Sequence, residues 1–357
     1  MNAAPQTVRS AVVSDAGHFA IESLPAPEPG PDAVRVRVEA CGICGSDLHF
    51  YNAGLFRKGH TPGHEIAGRI EALGADVAGL EIGEPVAVEP IQSCGHCAQC
   101  LAGQDSICRD ARLLGVHQPG GLSDRILVPA DRVYRLAPEL DPAVAALTEP
   151  LAVSVHGLER GRFEKGQRVL VLGAGAVGLV TLVAAQSLGA REVLVTARYA
   201  HQAERARALG ANRVLDERDT DLASLDRLGR ETDIDLVVET VGGRADTLRS
   251  ALAASRPGAH VSVLGLFMEP PQLDPLPLLQ KELTLCWSNC YHRPPGRPAD
   301  FETAAAIVDA ERDRLSPLVT HRLPLERTGE AFRAAADKRA GAVKVSVLPD
   351  QSRAGAE

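Results

Sequence analysis

Four cysteines place the tightest limit on how this chain can fold. Cys94, Cys97, Cys100 and Cys108 stand at C-x2-C-x2-C-x7-C spacing. That spacing lets one short loop wrap a tetrahedral zinc in four thiolates with no open position, so the ion fixes a fold and does no chemistry. Four buried or disulfide-paired cysteines are the competing reading, and the spacing rule for zinc motifs argues against it. The chain has eight cysteines in 357 residues. Its opening stretch, MNAAPQTVRSAVVSD, lacks the charged-then-apolar order of a signal peptide. Reduced thiols and metal are therefore expected rather than a secreted disulfide framework, with the cytoplasm as the expected location.

At 357 residues the length suggests two domains of ordinary size, each able to bury a core. Apolar residues make up 45% and charged residues 24%, the mix of a soluble globular protein. The net charge of −8 is spread without a basic block, which argues against a nucleic-acid partner. No apolar run approaches the roughly 20 residues of a membrane span, so no membrane partner is expected.

Residues 34–40 (VRVRVEA) alternate apolar and polar side chains, the period of a half-buried strand. Frequent Gly and Pro across residues 20–140 point to irregular β structure. The texture changes near residue 156. From Arg168 on, RVLVLG, AVGLVTLVAAQSLG, REVLVTA, HQAERARALG, DLVVETVG, ADTLRSALAAS and AHVSVLG alternate apolar strands with helical patterns. Fully apolar strands alternating with helices specify a doubly wound parallel sheet covered on both faces. The series is expected to end around residues 265–292, where Pro-rich stretches intervene. The last 65 residues return to mixed texture, with LVTHRLPLE and a helical EAFRAAADKR.

Gly173-Ala174-Gly175-Ala176-Val177-Gly178 is G-x-G-x-x-G directly after the strand RVLVL and at the start of a helix. Its glycines permit a tight turn and close backbone approach to a pyrophosphate seated on the helix N-terminus. In this setting Gly173, Gly175, Ala176, Val177 and Gly178 are the expected dinucleotide contacts. An acid closing the second strand would hold the ribose 2′-hydroxyl of NAD and repel a 2′-phosphate. Here that strand ends Thr196-Ala197-Arg198, without an acid. Ala197 removes the repulsion and Arg198 can pair with a phosphate, so NADP(H) is expected over NAD(H).

Upstream, GICGSDLH (residues 42–49) and GHEIAG (residues 63–68) bring a second set of metal-ligating types. A catalytic zinc keeps three protein ligands and one open position. Cys44 and His64 are the two obvious ligands. Glu149, in TEPL just before the change of texture, is one candidate for the third, and Glu65, next to His64, is its competitor. Asp47 is a natural acceptor for the second His64 nitrogen. Cys41 reads as packing, and Cys286 and Cys290 are given no chemistry.

GICGSDLH, PGHEIAG, the cysteine quartet, TEPLAVSVH, VLGAGAVGL and LVTHRLPLE follow one another in order. Together they resemble the zinc-containing medium-chain alcohol dehydrogenases, and TEPLAVSVH and LVTHRLPLE are most similar to the sorbitol/polyol and butanediol dehydrogenase branch. The resemblance implies a GroES-like, mostly β catalytic domain (residues 1–155 plus 293–357) into which a Rossmann domain (residues 156–292) is inserted. It implies two zinc ions per chain. Cys44, His64 and Glu149 would hold the catalytic ion, with Glu65 as an outer or exchanging ligand, and Cys94, Cys97, Cys100 and Cys108 the structural one. Ser46 would touch the reacting oxygen, His49 would relay its proton, and a homodimer or homotetramer would be the working form. Two departures bear on substrate: Phe50 lacks a phenol hydroxyl, and Cys290 occupies the place of an expected arginine, with Arg293 nearby. Secondary alcohols or ketones, among them diols, hydroxyketones and cyclic alcohols as well as polyols, are the expected substrates. The rivals are an NAD-dependent sugar or cyclitol dehydrogenase, in which Arg198 is only a solvated loop residue, and a non-catalytic NADPH-binding protein. The presence of Cys44, Ser46 and His64 together argues against the last.

Overall fold

The computed structural model describes residues 7–15 and 18–349, which form two compact units. Residues up to Glu149 and those from Arg293 on make one, and Pro150–His292 make the other. The chain passes from the first to the second within the helix Thr148–Arg160. The GroES-like plus Rossmann architecture expected from the sequence is the one observed.

The second unit is the simpler one. Its strands are β1 (Arg168–Leu172), β2 (Glu192–Ala197), β3 (Arg213–Asp216), β4 (Leu236–Glu239), β5 (His260–Val263) and β6 (Thr284–Trp287). They lie in the order 3-2-1-4-5-6, all parallel. The order reverses between β1 and β4, the point at whose carboxyl edge such sheets bind ligands. Continuous apolar sequence in β1 and β4 follows from burial on both faces: Val169, Leu170, Val171, Leu236, Val237 and Val238 are fully buried. The sheet has two strands that the sequence reading did not name, β3 and β6, one at each edge. Residues 265–292 hold the helix Pro275–Lys281, with proline at its start, and then β6. Proline there opens a helix rather than ending the fold, because the first turn needs no N–H from it.

In the first unit a seven-stranded sheet is built around Ala33–Gly42. This strand pairs antiparallel with Glu65–Leu73, Arg125–Pro129 and the C-terminal strand Lys344–Leu348. Val34, Val36 and Val38 point into a core with Ile66, Ile70, Val128, Val345, Val347 and Phe332. The opposite face of this strand is less exposed than its alternation suggested. Arg35 and Glu39 are buried, because Arg35 pairs with Glu71 at 3.0 Å and Glu39 with Arg37 at 2.9 Å. Buried charge is tolerated when it is paired and hydrogen-bonded. No helix among the described residues is long and apolar enough to cross a membrane.

Candidate active site and metal centres

The cysteine quartet forms a compact lobe. Cys94, Cys97, Cys100 and Cys108 bring their sulfurs within 4.8 Å of one another, and none of the eight cysteines is in a disulfide. Three of the separations are 3.5 Å (Cys97–Cys100), 3.8 Å (Cys97–Cys108) and 3.8 Å (Cys94–Cys100). Thiolates about 2.3 Å from a tetrahedral centre stand about 3.8 Å apart, so the quartet fits zinc. The Asp110 N–H donates to Cys108 Sγ at 3.4 Å. Backbone donors of this kind hold the Cys108 thiol down to about 7, while burial and its sulfur neighbours push Cys100 up to about 12. The buried guanidinium of Arg132 clamps the lobe's base, donating to Ser93 Oγ at 3.2 Å and pairing with Asp105 at 2.8 Å and with Glu89. Arg293 belongs to this frame. It pairs with Asp131 at 2.8 Å and lies 3.9 Å from Glu89, which accounts for its charge without a substrate.

The second set is organised by one carboxylate. Cys44 precedes the helix Gly45–Asn52, and Asp47 in its first turn accepts from the Cys44 N–H at 3.0 Å through Oδ2. The other oxygen, Oδ1, faces His64 Nδ1 at 3.4 Å. Asp47 is thus held between the backbone of one candidate ligand and the ring of the other, which leaves Nε2 of His64 to face a metal. Gly63 delivers His64 at φ +99°, and a side chain at Gly63 would strike Cys41 Sγ at 2.6 Å. Cys41 is fully buried there, which raises its thiol well above the usual range and leaves it to packing. Burial alone would lower His64, but the Asp47 carboxylate and the Cys44 thiol beside it raise it well above the ordinary imidazole range.

Glu149 stands in the first turn of the helix Thr148–Arg160 and is 5% exposed. Burial pushes its carboxyl up to about 7, against the pull of His64 and Lys344 and with the push of Glu65 and Asp47. Asp47, His64, Glu65 and Glu149 therefore share one buried neighbourhood, with half-buried Cys44 beside His64. Glu65 is already occupied: both of its oxygens lie 2.6 Å from the Nζ of Lys344, which also donates to the Ile43 carbonyl at 3.3 Å. Burial pulls that ammonium down, but Glu65 and Cys44 raise it further. Cys44, Asp47, Glu65 and Glu149 together outnumber the two ammoniums whose charges act on them, Lys344 and Lys338. A divalent cation fits that excess, and the donor set of thiol, imidazole and carboxylate suits zinc. Lys344 was missed in the sequence, although a lone lysine inside the apolar strand sequence AVKVSVL was a signal of a buried partner.

Ser46 and His49 lie on the same short helix and are partly exposed. Burial, and then the Lys338 ammonium, lower the His49 imidazole, which favours its neutral form. Phe50 packs edgewise on Phe56, their centroids 5.8 Å apart. In the second unit Cys290 has φ +53° and Cys286 donates to the Arg160 carbonyl at 3.2 Å.

The glycine loop sits at the carboxyl end of β1. Gly173 has φ +99°, and its N–H donates to Thr196 Oγ1 at 2.9 Å, tying the loop to the end of β2. A Cβ at Gly178 would strike the Gly173 carbonyl and lie 2.9 Å from Thr240 Oγ1, so only glycine lets the helix Ala176–Ser187 pack this close. Gly175, at that helix's N-cap, has open space where its Cβ would be. That opening and the N–H groups of the first turn fit a pyrophosphate. Ala197 is buried at the end of β2, and Arg198 beside it is exposed.

The profile of the alcohol dehydrogenase GroES-like domain matches residues 30–138, and that of the zinc-binding dehydrogenases matches residues 176–310. A sorbitol dehydrogenase of Bacillus subtilis (strain 168) is 32% identical, over 97% of this chain and 99% of its own. An L-threonine 3-dehydrogenase of Saccharopolyspora erythraea is 33% identical, over 92% of this chain and 96% of its own. Among solved structures, a zinc-binding dehydrogenase of Sinorhizobium meliloti 1021 with NADP bound is 30% identical. It superposes with a TM-score of 0.86 over 96% of this chain and all of that one.

Proposed function

The chain belongs to the zinc-binding medium-chain alcohol dehydrogenases, close to their sorbitol/polyol and diol branch, and within that family we propose that it exchanges a hydride between NADP(H) and a secondary alcohol or ketone. The observation that carries the reading is Asp47 held between half-buried Cys44 and buried His64, with buried Glu149 feeling the charge of both His64 and Asp47, in a unit that also holds the closed cysteine quartet. In this reading Cys44, His64 and Glu149 hold a zinc that supplies Lewis acidity to the substrate oxygen when bound. Glu65, gripped by Lys344, stays behind the ligands. Ser46 orients the reacting oxygen by hydrogen bond, and its hydroxyl passes the proton of an alcohol on to His49. The lowered His49 imidazole accepts that proton and releases it to solvent, and in reduction the direction reverses. The glycine loop holds the dinucleotide, whose own chemistry carries the hydride.

Ala197 and Arg198 support NADP(H): no acid stands at the end of β2, and the exposed guanidinium is placed to meet a phosphate. The sorbitol dehydrogenase similarity supports a polyol, diol or hydroxyketone substrate. Arg293 is held by Asp131 and Phe50 has no hydroxyl, so smaller diols and hydroxyketones suit the chain better than long polyols. The edge strand β6 pairs on one side only, and Trp287 on it is 49% exposed, which supports a homodimer or homotetramer.

Absorbance at 340 nm with NADPH and NADH in parallel, across ketoses, hydroxyketones, diketones and cyclic ketones, tests the reaction. Turnover of one class with NADPH is the expected result; silence of the zinc-loaded protein across the whole panel would overturn the substrate reading. Replacing Ala197→Asp together with Arg198→Ile is expected to move the preference to NADH by at least about tenfold, the worth of one lost charge-assisted contact. An unchanged ratio of the two kcat/KM values would refute the coenzyme reading.

A further inference from the structure

The loop after β4 is built around a carboxylate with no part in the reading so far. Glu239 ends that strand, level with Leu172 of β1 on one side and Val263 of β5 on the other, and it is fully buried. One oxygen, Oε1, makes all its bonds. It accepts from the Val241 N–H at 2.8 Å, the Gly242 N–H at 2.9 Å and the Thr247 hydroxyl at 2.7 Å. The other, Oε2, is enclosed and has no hydrogen-bond partner among the described residues. It lies against Gly265 in the loop after β5, where a Cβ would stand 2.3 Å away.

A buried carboxylate with a bare oxygen is costly, and such groups mark places where structure is held for a purpose. One oxygen offers about two lone-pair sites, so three donors on Oε1 crowd it while Oε2 stays empty. The loop, and not the carboxylate, sets this geometry. Residues 240–242 are drawn back under the strand end and lean on the glycine loop. Thr240 donates to the Leu172 carbonyl through its N–H at 3.1 Å and its hydroxyl at 2.8 Å. Val241 is 41% exposed and stands over Gly173, where a Cβ would meet Val241 Cγ2 at 2.6 Å. This is the carboxyl edge of the sheet at the point where the strand order reverses.

We propose that Glu239 is a positioning residue for the dinucleotide: it folds residues 240–242 against Gly173 and so holds the glycine loop in the shape that receives a pyrophosphate. This rests on the reading that the glycine loop binds the dinucleotide, and it applies equally to NADP(H) and NAD(H). A loop that meets its ligand with backbone N–H groups has few side chains to hold it in register, so its neighbours must do so. Thr240 fixes the carbonyl just before the loop, and Val241 fills the space that Gly173 leaves open. Glu239 acts through both, by its shape and its acceptor rather than by its charge.

The test is equilibrium binding of NADPH and NADH to the intact protein by calorimetry, well below the unfolding midpoint and with zinc content and Tm measured alongside. Glu239→Ala should weaken both coenzymes about tenfold, the worth of one lost bond to a charged group, and leave zinc content unchanged. Glu239→Gln keeps an acceptor oxygen in the same place and should bind both within about threefold of the parent. Val241→Ala should weaken both coenzymes, and adding it to Glu239→Ala should cost nothing more, because the carboxylate acts through that side chain. A lower Tm with unchanged coenzyme affinity in Glu239→Ala would make Glu239 a matter of folding and overturn the proposal. So would effects of Glu239→Ala and Val241→Ala that simply multiply. Should Glu239→Ala not fold, Glu239→Asp decides: it keeps the charge but withdraws the acceptor, and should weaken both coenzymes about tenfold. Parent-like binding by Glu239→Asp with weak binding by Glu239→Gln would show that charge acts and not shape, and the proposal fails. If the unsubstituted protein binds neither coenzyme, the dinucleotide reading itself fails, and the proposal with it.

Discussion

Glu149→Ala should strip one of two zinc ions from each chain and lower kcat/KM by about a thousandfold. Lewis-acid stabilisation contributes several kcal/mol, and each 1.4 kcal/mol is a factor of ten in rate. With Glu65 held by Lys344, the variant would leave Cys44 and His64 as the remaining pair of ligands in that set. The cysteine quartet uses none of these residues and should keep its ion, so metal analysis should fall from two zincs to one. In the unsubstituted protein burial pushes the Glu149 carboxyl up to about 7, so protons compete with zinc for it near neutral pH. Raised ligand pKa values make protons stronger competitors, so zinc affinity at this site should fall as pH drops below about 7. Glu149→Gln separates the charge from the shape: it should fill the space and still lose the ion. Near-normal turnover with both zincs retained would leave Glu65 as the third ligand and refute the assignment.

How far the sequence foretold this site depended on range. Cys44, Asp47 and the quartet could be read because their partners lie a few residues away, where spacing alone constrains geometry. The Rossmann strands were legible for a related reason, since burial on both faces leaves an unbroken apolar run. What escaped was set by distant pairing. Lys344 reaches Glu65 only because the C-terminal strand pairs with Ala33–Gly42, which in turn pairs with Glu65–Leu73. Arg35 and Glu39 looked solvent-facing because alternation reports one strand and not the acids and arginines that neighbouring strands lay over it. β6 escaped because the prolines at 275 and 277 read as breaks, although one of them starts a helix. The competition between Glu65 and Glu149 could not be weighed in sequence for the same reason: the ammonium that occupies Glu65 lies 279 residues away.

Lys344→Met should destabilise the protein by about 3–5 kcal/mol, the usual cost of removing one partner from a buried ion pair. Lys344 is 2% exposed and Glu65 is fully buried, so water cannot replace the lost ammonium. The orphaned carboxylate would also face Asp47 and Glu149, whose charges already press on one another. For a chain of this size each kcal/mol moves Tm by about 2–4 °C, so thermal unfolding should shift by on the order of 10 °C. Glu65→Met alone should cost a similar amount, because it leaves the ammonium unpaired. The double variant should recover most of the loss, since two apolar groups in place of a buried ion pair are often neutral or better. A Tm within about 2 °C of the parent in Lys344→Met would show that the pair contributes nothing to the fold. The double variant also has a second readout. If Lys344 also positions Cys44 through its bond to the Ile43 carbonyl, restored stability should come without restored turnover. Full recovery of both would make Lys344 a matter of folding alone.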